Sequence, residues 1–159
     1  MLLYNRRFFL LMTAGLASGC DFVPTNGAGS QVNELQNAVM LRAPNNENEF
    51  AFIKAVEDRL GHATTHEFDL AYSIRISNDS VSVTTAQSQR RISLRGTLTY
   101  TLTRADGAPV ARGSERSFTS YSTSGSNIAT QTARKDANER LMNILADQLI
   151  ISLSSQLRS

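Results

Sequence analysis

Apolar and polar positions change their period several times along this chain, and each change marks an element. Leu35 to Arg42 (LQNAVMLR) is an apolar run stopped by Pro44, Asn45 and Asn46, which predicts a first strand. Glu47 to Leu60 then follows a helical period, with Phe50, Ile53, Val56 and Leu60, and Phe52 beside them, forming one buried stripe. Asn46 stands at the N-cap, Glu47 and Glu49 suit the positive end of the helix dipole, and Gly61 is placed to end the helix. His66 to Ser77 alternates, with Phe68, Leu70, Tyr72, Ile74 and Ile76 on one face and Asp69, Ala71, Ser73 and Arg75 on the other. Arg91 to Arg104 alternates more regularly, setting Ile92, Leu94, Leu98, Tyr100 and Leu102 against Ser93, Arg95, Thr97, Thr99, Thr101 and Thr103. Gly96 interrupts that apolar row and marks a bend or a close approach. Ala105-Asp106-Gly107-Ala108 is a hairpin signal, so Pro109 to Tyr121 is expected to return antiparallel. This last strand alternates poorly, with Val110 and Phe118 as its apolar contacts, which predicts a bulge or an exposed edge. From about Gly125 the period is helical again, and Ala129, Ala133, Ala137, Leu141, Ile144, Leu145, Leu149 and Leu153 form a stripe that begins small and becomes bulky.

The resulting order is β-α-β-β-β-α. Half-polar strands with two amphipathic helices to cover them predict an α+β fold: a two-layer sandwich of a four-stranded, mostly antiparallel sheet with two helices on one face. Strands two to four form a meander, and the first strand joins at an edge or pairs parallel to another. No internal repeat is present, and low complexity is confined to a spacer near the start and the polar Ser80 to Gln89 stretch.

The first twenty residues follow none of these periods. Arg6 and Arg7 precede a short apolar run from Phe8 to Ala17, and small residues Ser18 and Gly19 stand directly before Cys20, the only cysteine. A hydrophobic helix needs roughly 20 residues to cross a bilayer core, so this run reads as an export leader over residues 1–19. Leu16-Ala17-Ser18-Gly19 resembles a bacterial lipobox shifted by one place. Cys20 is then the site of a diacylglycerol thioether and an N-acyl chain, and two or three chains anchor a protein stably where one does not. Asn5 to Leu10 also resembles a twin-arginine signal, which leaves the export route open beside an ordinary Sec leader. Asp21 follows the cysteine, and in some bacteria an aspartate there retains a lipoprotein in the inner membrane. Residues 20–33 form a flexible lipidated spacer, rich in Gly, Ser, Asn and Pro, and residues 34–159 form the body.

Removing the leader leaves about 140 residues, enough for one domain with a single core. The precursor's net charge of +2 comes from the leader arginines, so the mature chain is neutral. Charge is uneven within it: residues 20–73 hold 3 basic and 8 acidic side chains, and residues 74–116 hold 7 basic and 3 acidic. A neutral chain with a positive middle argues against bulk nucleic-acid binding and for one localised anionic contact.

Candidate chemistry is sparse. His62 and His66 have the spacing of two ligands on a helix face, but Gly61 ends the helix before them and no third ligand follows, so no metal site is expected. The chain has no G-x-S-x-G elbow and no phosphate-binding glycine loop, and its one thiol is consumed by lipid, so it is not expected to be an enzyme. The arginines remain. Arg75 and Arg95 lie on the polar face of neighbouring strands, and Arg90 and Arg91 open the third strand. Planar guanidinium groups bind phosphate bidentately, so these four are candidates for the phosphates of an anionic glycolipid. Arg90 and Arg91 are equally able to pair with acids such as Asp69 or Asp79.

The leader RRFFLL…GC followed by DFVP, the Y-x-I-x-I of Tyr72 to Ile76, the R-x-S-L-x-G-x-L-x-Y-x-L of Arg91 to Leu102, Asp106-Gly107, Thr119-Ser120-Tyr121 and the ARKDANERL of Ala133 to Leu141 occur in an order that resembles the LptE family. The resemblance implies a protein anchored by lipid at the periplasmic face of the outer membrane. It implies a 1:1 plug inside the LptD β-barrel that supports barrel assembly and binds lipopolysaccharide on its way to the surface, with no cofactor. Lipopolysaccharide then becomes the expected ligand of Arg75, Arg90, Arg91 and Arg95. A second reading is a periplasmic lipoprotein that activates or scaffolds a cell-wall synthase.

Overall fold

The computed structural model describes residues 32–81, 91–123 and 126–157. The leader, Cys20, the spacer up to residue 31, Arg90 and most of the Ser80 to Gln89 stretch lie outside the described residues, and the last two spacer positions, Val32 and Asn33, begin a helical turn. The elements are α1 (Val32–Leu35), β1 (Val39–Leu41), α2 (Glu47–Leu60), β2 (Phe68–Val81), β3 (Arg91–Arg104), β4 (Pro109–Ser122) and α3 (Asn127–Gln156).

The sheet runs in the order β1-β2-β3-β4. β1 pairs parallel to β2, from Val39 opposite Phe68 to Leu41 opposite Leu70. A parallel neighbour needs a crossover, and α2 supplies it. β2 pairs antiparallel with β3 along its whole length, from Phe68 opposite Arg104 to Val81 opposite Arg91. β4 continues the meander. The sheet is therefore mixed: two pairings are antiparallel as expected, and the first strand is both at the edge and parallel.

That first strand is shorter than the Leu35 to Arg42 run predicts. Leu35 ends the helical turn α1, and Asn37 at φ 57 reverses the chain before three residues become extended. Asparagine tolerates this left-handed region better than other residues with a side chain. Distant partners hold it there: the Asn37 N–H donates to the Leu60 carbonyl at 2.7 Å, and its own carbonyl accepts from the Thr64 and Thr65 N–H groups at 2.7 and 3.1 Å. Gly61, at φ 79, completes the junction, because a Cβ there would sit 2.1 Å from Asn37 Oδ1.

α2 begins and ends where its caps predict. The Asn46 side chain accepts from the Glu49 N–H at 2.9 Å, and the Gly61 N–H donates to the Glu57 carbonyl. Its buried stripe differs from the expected one. Phe52, Ala55, Val56 and Leu60 are buried, whereas Phe50 is 61% exposed. Glu49 takes the inward place at the start of the helix, where its carboxylate accepts from the Asn45 N–H at 2.9 Å and pairs with Arg42 at 3.4 Å. α3 starts at its N-cap Ser126, and its buried positions run from Ala137 through Leu141, Met142, Leu145, Ala146 and Leu149 to Leu153. Ala129 is exposed, so the small-residue end of the expected stripe covers less of the sheet than its period suggests.

The core lies between the sheet and the two long helices. Phe68, Leu70 and Tyr72 of β2, with Leu94, Leu98, Tyr100 and Leu102 of β3, meet Phe52, Val56 and Leu60 of α2 and the α3 stripe. Gly96 is a close approach: a Cβ would fall 3.0 Å from Leu145 Cδ1 and 3.1 Å from Leu141 Cδ2. Gly113 of β4 leaves room for the Tyr100 ring beside it, and the Tyr100 hydroxyl lies 2.6 Å from Ser152 Oγ and 2.9 Å from Gln156 Nε2 on α3.

β4 carries the predicted irregularity. Thr103 pairs with Pro109 and Leu102 with Ala111, so Val110 is a bulged extra residue. The bulge decides which side chains face the helices. Ala111 and Tyr121 are buried, while Phe118, expected as an apolar contact, is 72% exposed on the opposite face.

Candidate functional site

Among the described residues, helices cover one face of the sheet and leave the other open. On that open face β2 presents Asp69, Ala71, Ser73, Arg75, Ser77 and Asp79, and β3 presents Arg91, Ser93, Arg95 and its threonines. The bulge at Val110 adds Arg112, Ser114, Arg116, Phe118 and Ser120 of β4 to the same face. Among the rows that cross it are Arg75, Thr97 and Arg116; Ser77, Arg95 and Phe118; and Asp79, Ser93 and Ser120. At ordinary strand spacing the backbones at Arg75 and Arg116 are about 10 Å apart.

Of the four predicted arginines, Arg75, Arg91 and Arg95 share this face, and Arg90 lies outside the described residues. Arg95 is paired, its Nε 3.0 Å from Asp79 Oδ2 with both side chains at least half exposed. Arg75, Arg91, Arg112 and Arg116 make no ion pair to a described residue. Arg91 makes no pair with Asp69, because Arg91 lies opposite Val81 and Asp69 opposite Thr103, at the two ends of the β2-β3 ladder; Asp69 meets His66 at 2.8 Å instead. Arg112, Arg116 and Phe118 escaped the sequence reading. The Asp106-Gly107 turn fixed the antiparallel pairing, but the face of every later β4 residue depends on whether Val110 counts in the ladder.

An array of exposed guanidinium groups around one aromatic ring can hold a multiply charged anion through charge-assisted hydrogen bonds and stack an apolar group on Phe118. Salt weakens such contacts, because the charges are exposed.

The two histidines do not come together as ligands. His62 Nδ1 lies 3.2 Å from Glu57 and His66 Nε2 lies 2.8 Å from Asp69, and among the described residues no three metal-ligating side chains cluster. On the helical side a groove of about 540 Å³ between the starts of α2 and α3 is lined by Phe50, Ala51, Lys54 and Thr132, with Lys135 bridging it to Glu47. The Glu47 carboxylate raises the Lys135 ammonium above its usual value by hydrogen bonding and by charge. At the β1 end, Arg42 lies over the Tyr72 ring at 5.2 Å. Burial, and then the Glu49 charge, push the Tyr72 phenol above its ordinary value.

Several solved structures share this fold. A protein described as a lipoprotein from Caulobacter crescentus is 19% identical with a TM-score of 0.66, covering 80% of this chain and 96% of that one. A rare lipoprotein B from Shewanella oneidensis is 7% identical with a TM-score of 0.52, covering 74% and 92%. A minor lipoprotein from Acinetobacter baumannii is 13% identical with a TM-score of 0.51, covering 74% and 91%. At these identities the likeness is one of fold. No curated protein matches the chain by sequence. The family model for LptE, described as lipopolysaccharide-assembly, matches residues 36–153, from the turn before β1 nearly to the end of α3. The chain therefore belongs to the LptE lipopolysaccharide-assembly family.

Proposed function

We propose that this protein is an outer-membrane lipoprotein, anchored through acyl chains on Cys20, that plugs an LptD-type β-barrel one to one. In this role it helps the barrel assemble and binds lipopolysaccharide during insertion. The match to the LptE family over residues 36–153 carries the reading. The open face supports it, because four arginines there have no carboxylate partner among the described residues and lipopolysaccharide is an amphiphile rich in phosphate. The leader occupies residues 1–19, the lipidated spacer 20–33 and the barrel-binding body 34–159. The protein carries out no reaction of its own; it acts by holding and presenting.

Gentle detergent extraction of the tagged full chain, followed by identification of what co-purifies, tests the partner. A large β-barrel at one to one is the expected result. Recovery of a peptidoglycan synthase without a barrel would support the cell-wall reading instead. Membrane fractionation tests the location, and a chain found only in the inner membrane would mean that Asp21 governs its sorting. For the ligand, replacing Arg75, Arg91, Arg95 and Arg116 with alanine should weaken lipopolysaccharide binding at least about tenfold at low salt, with a smaller loss at high salt. Unchanged affinity would remove the open face from the reading while leaving the barrel partnership intact.

A further inference from the structure

The two edges of the sheet are built differently. β4 carries the devices that prevent edge-to-edge pairing: Pro109 at its start, the bulge at Val110, and Glu115 placed on the helical side opposite Leu98. β2 carries none of them. β1 covers only Phe68 to Leu70, so from Tyr72 to Val81 the outer edge of β2 has no strand beside it among the described residues. This edge is regular, pairs without interruption to β3 on its other side, and keeps Ile74 and Ile76 only partly buried.

We propose that this edge pairs with the same edge of a second copy, β2 antiparallel to β2 about a two-fold axis at Ser77. The residues themselves select that register. With Ser77 opposite Ser77 of the second copy, Arg75 stands opposite Asp79 of the second copy, and the same pair repeats across the axis. Arg75 has no ion-pair partner among the described residues, and the Asp79 side chain is half exposed with Arg95 on one oxygen. On the other side of the sheet the two Ile76 residues become diagonal neighbours, and their exposed flanks cover one another. A shift of two residues along the strand sets Arg75 opposite Ser77 or Val81 and loses both ion pairs. The result is a continuous sheet in which β4, β3 and β2 of one copy are followed by β2, β3 and β4 of the second, with each short β1 remaining on its own stretch of β2. It concerns the chain without its barrel and does not rest on the barrel reading.

The register is testable by crosslinking. In the full chain carrying Cys20→Ser, Ser77→Cys supplies the only thiol, and its mate lies about 4.5–5.5 Å away between Cα atoms, inside the disulfide window. Ser73→Cys is as exposed, but its mate is about 26 Å away at about 3.3 Å per residue. Mild oxidation should therefore crosslink the Ser77→Cys chain and not the Ser73→Cys chain. By sedimentation, Arg75→Asp should raise the dimer dissociation constant about tenfold, since two ion pairs become two repulsions. Arg112→Asp, on the guarded edge of the same face, should leave it unchanged. Circular dichroism shows whether each variant is folded. A parent chain that sediments as a monomer at tens of micromolar, equal crosslinking at positions 73 and 77, or equal weakening by Arg75→Asp and Arg112→Asp would each overturn the proposal.

Discussion

A Cβ placed on Gly113 falls 2.5 Å from the Tyr100 hydroxyl and 2.8 Å from its ring carbon, and this ring is 1% exposed and held by Ser152 and Gln156. The ring has nowhere to go without breaking those bonds, so Gly113→Ala should cost about 2–3 kcal/mol in chemical denaturation. Gly96→Ala meets only leucine methyl groups and methine carbons at 3.0–3.2 Å and should cost less, about 1 kcal/mol. Tyr72 gives a second residue-scale test. Burial and the Glu49 carboxylate raise its phenol above the ordinary 10.0, so the folded chain holds the proton more tightly than the unfolded one. The associated stability is full below pH 10.0 and is lost as the pH rises through the folded value. Unfolding free energy measured from about pH 9 to 11 should fall with pH, and Tyr72→Phe should flatten that fall.

At the scale of elements, the segments that local rules govern were legible. α2 lies between Asn46 and Gly61 because a side-chain cap and a positive-φ glycine act within one turn of the helix ends. β3 matched its predicted limits because its alternation runs the length of the strand, with Gly96 alone standing in the apolar row. The failures came from contacts across long stretches of chain. Asn37 reverses direction because its partners Leu60, Thr64 and Thr65 come from the far end of α2 and the loop beyond, and nothing in Leu35 to Arg42 announces them. The helical period allows Phe50 an inward place, yet Glu49 takes it through Asn45 and Arg42. The stripe of α3 is secure where it is bulky. Leu145 is fully buried beside Gly96, so Leu145→Asp leaves a carboxylate without water or partner, at a cost of about 4 kcal/mol or more. A thermal midpoint close to the parent's would contradict that placement.

For the molecule as a whole, the two sides of one sheet differ, one forming the core and the other presenting polar and charged side chains. Alternation places Arg75 and Arg95 on the solvent side, where the structure has them, since it alone decides parity in β2 and β3, and Arg91 shares that side by the same parity. Alternation missed Arg112, Arg116 and Phe118 because parity in β4 is set by one residue outside the ladder. That residue makes Val110 the place where the chain has a spare link. Deleting Val110 joins Pro109 to Ala111 and leaves every later pairing with β3 as it was, so the shortened chain should fold with the same sidedness and a modest drop in thermal midpoint. Deleting Thr97 has no slack to absorb it and exchanges inward for outward residues along one half of the central strand, so that chain should not fold. Gain or loss of a single codon is thus tolerable at the bulge and ruinous in the middle of β3, and length variation within this strand pair has one natural address.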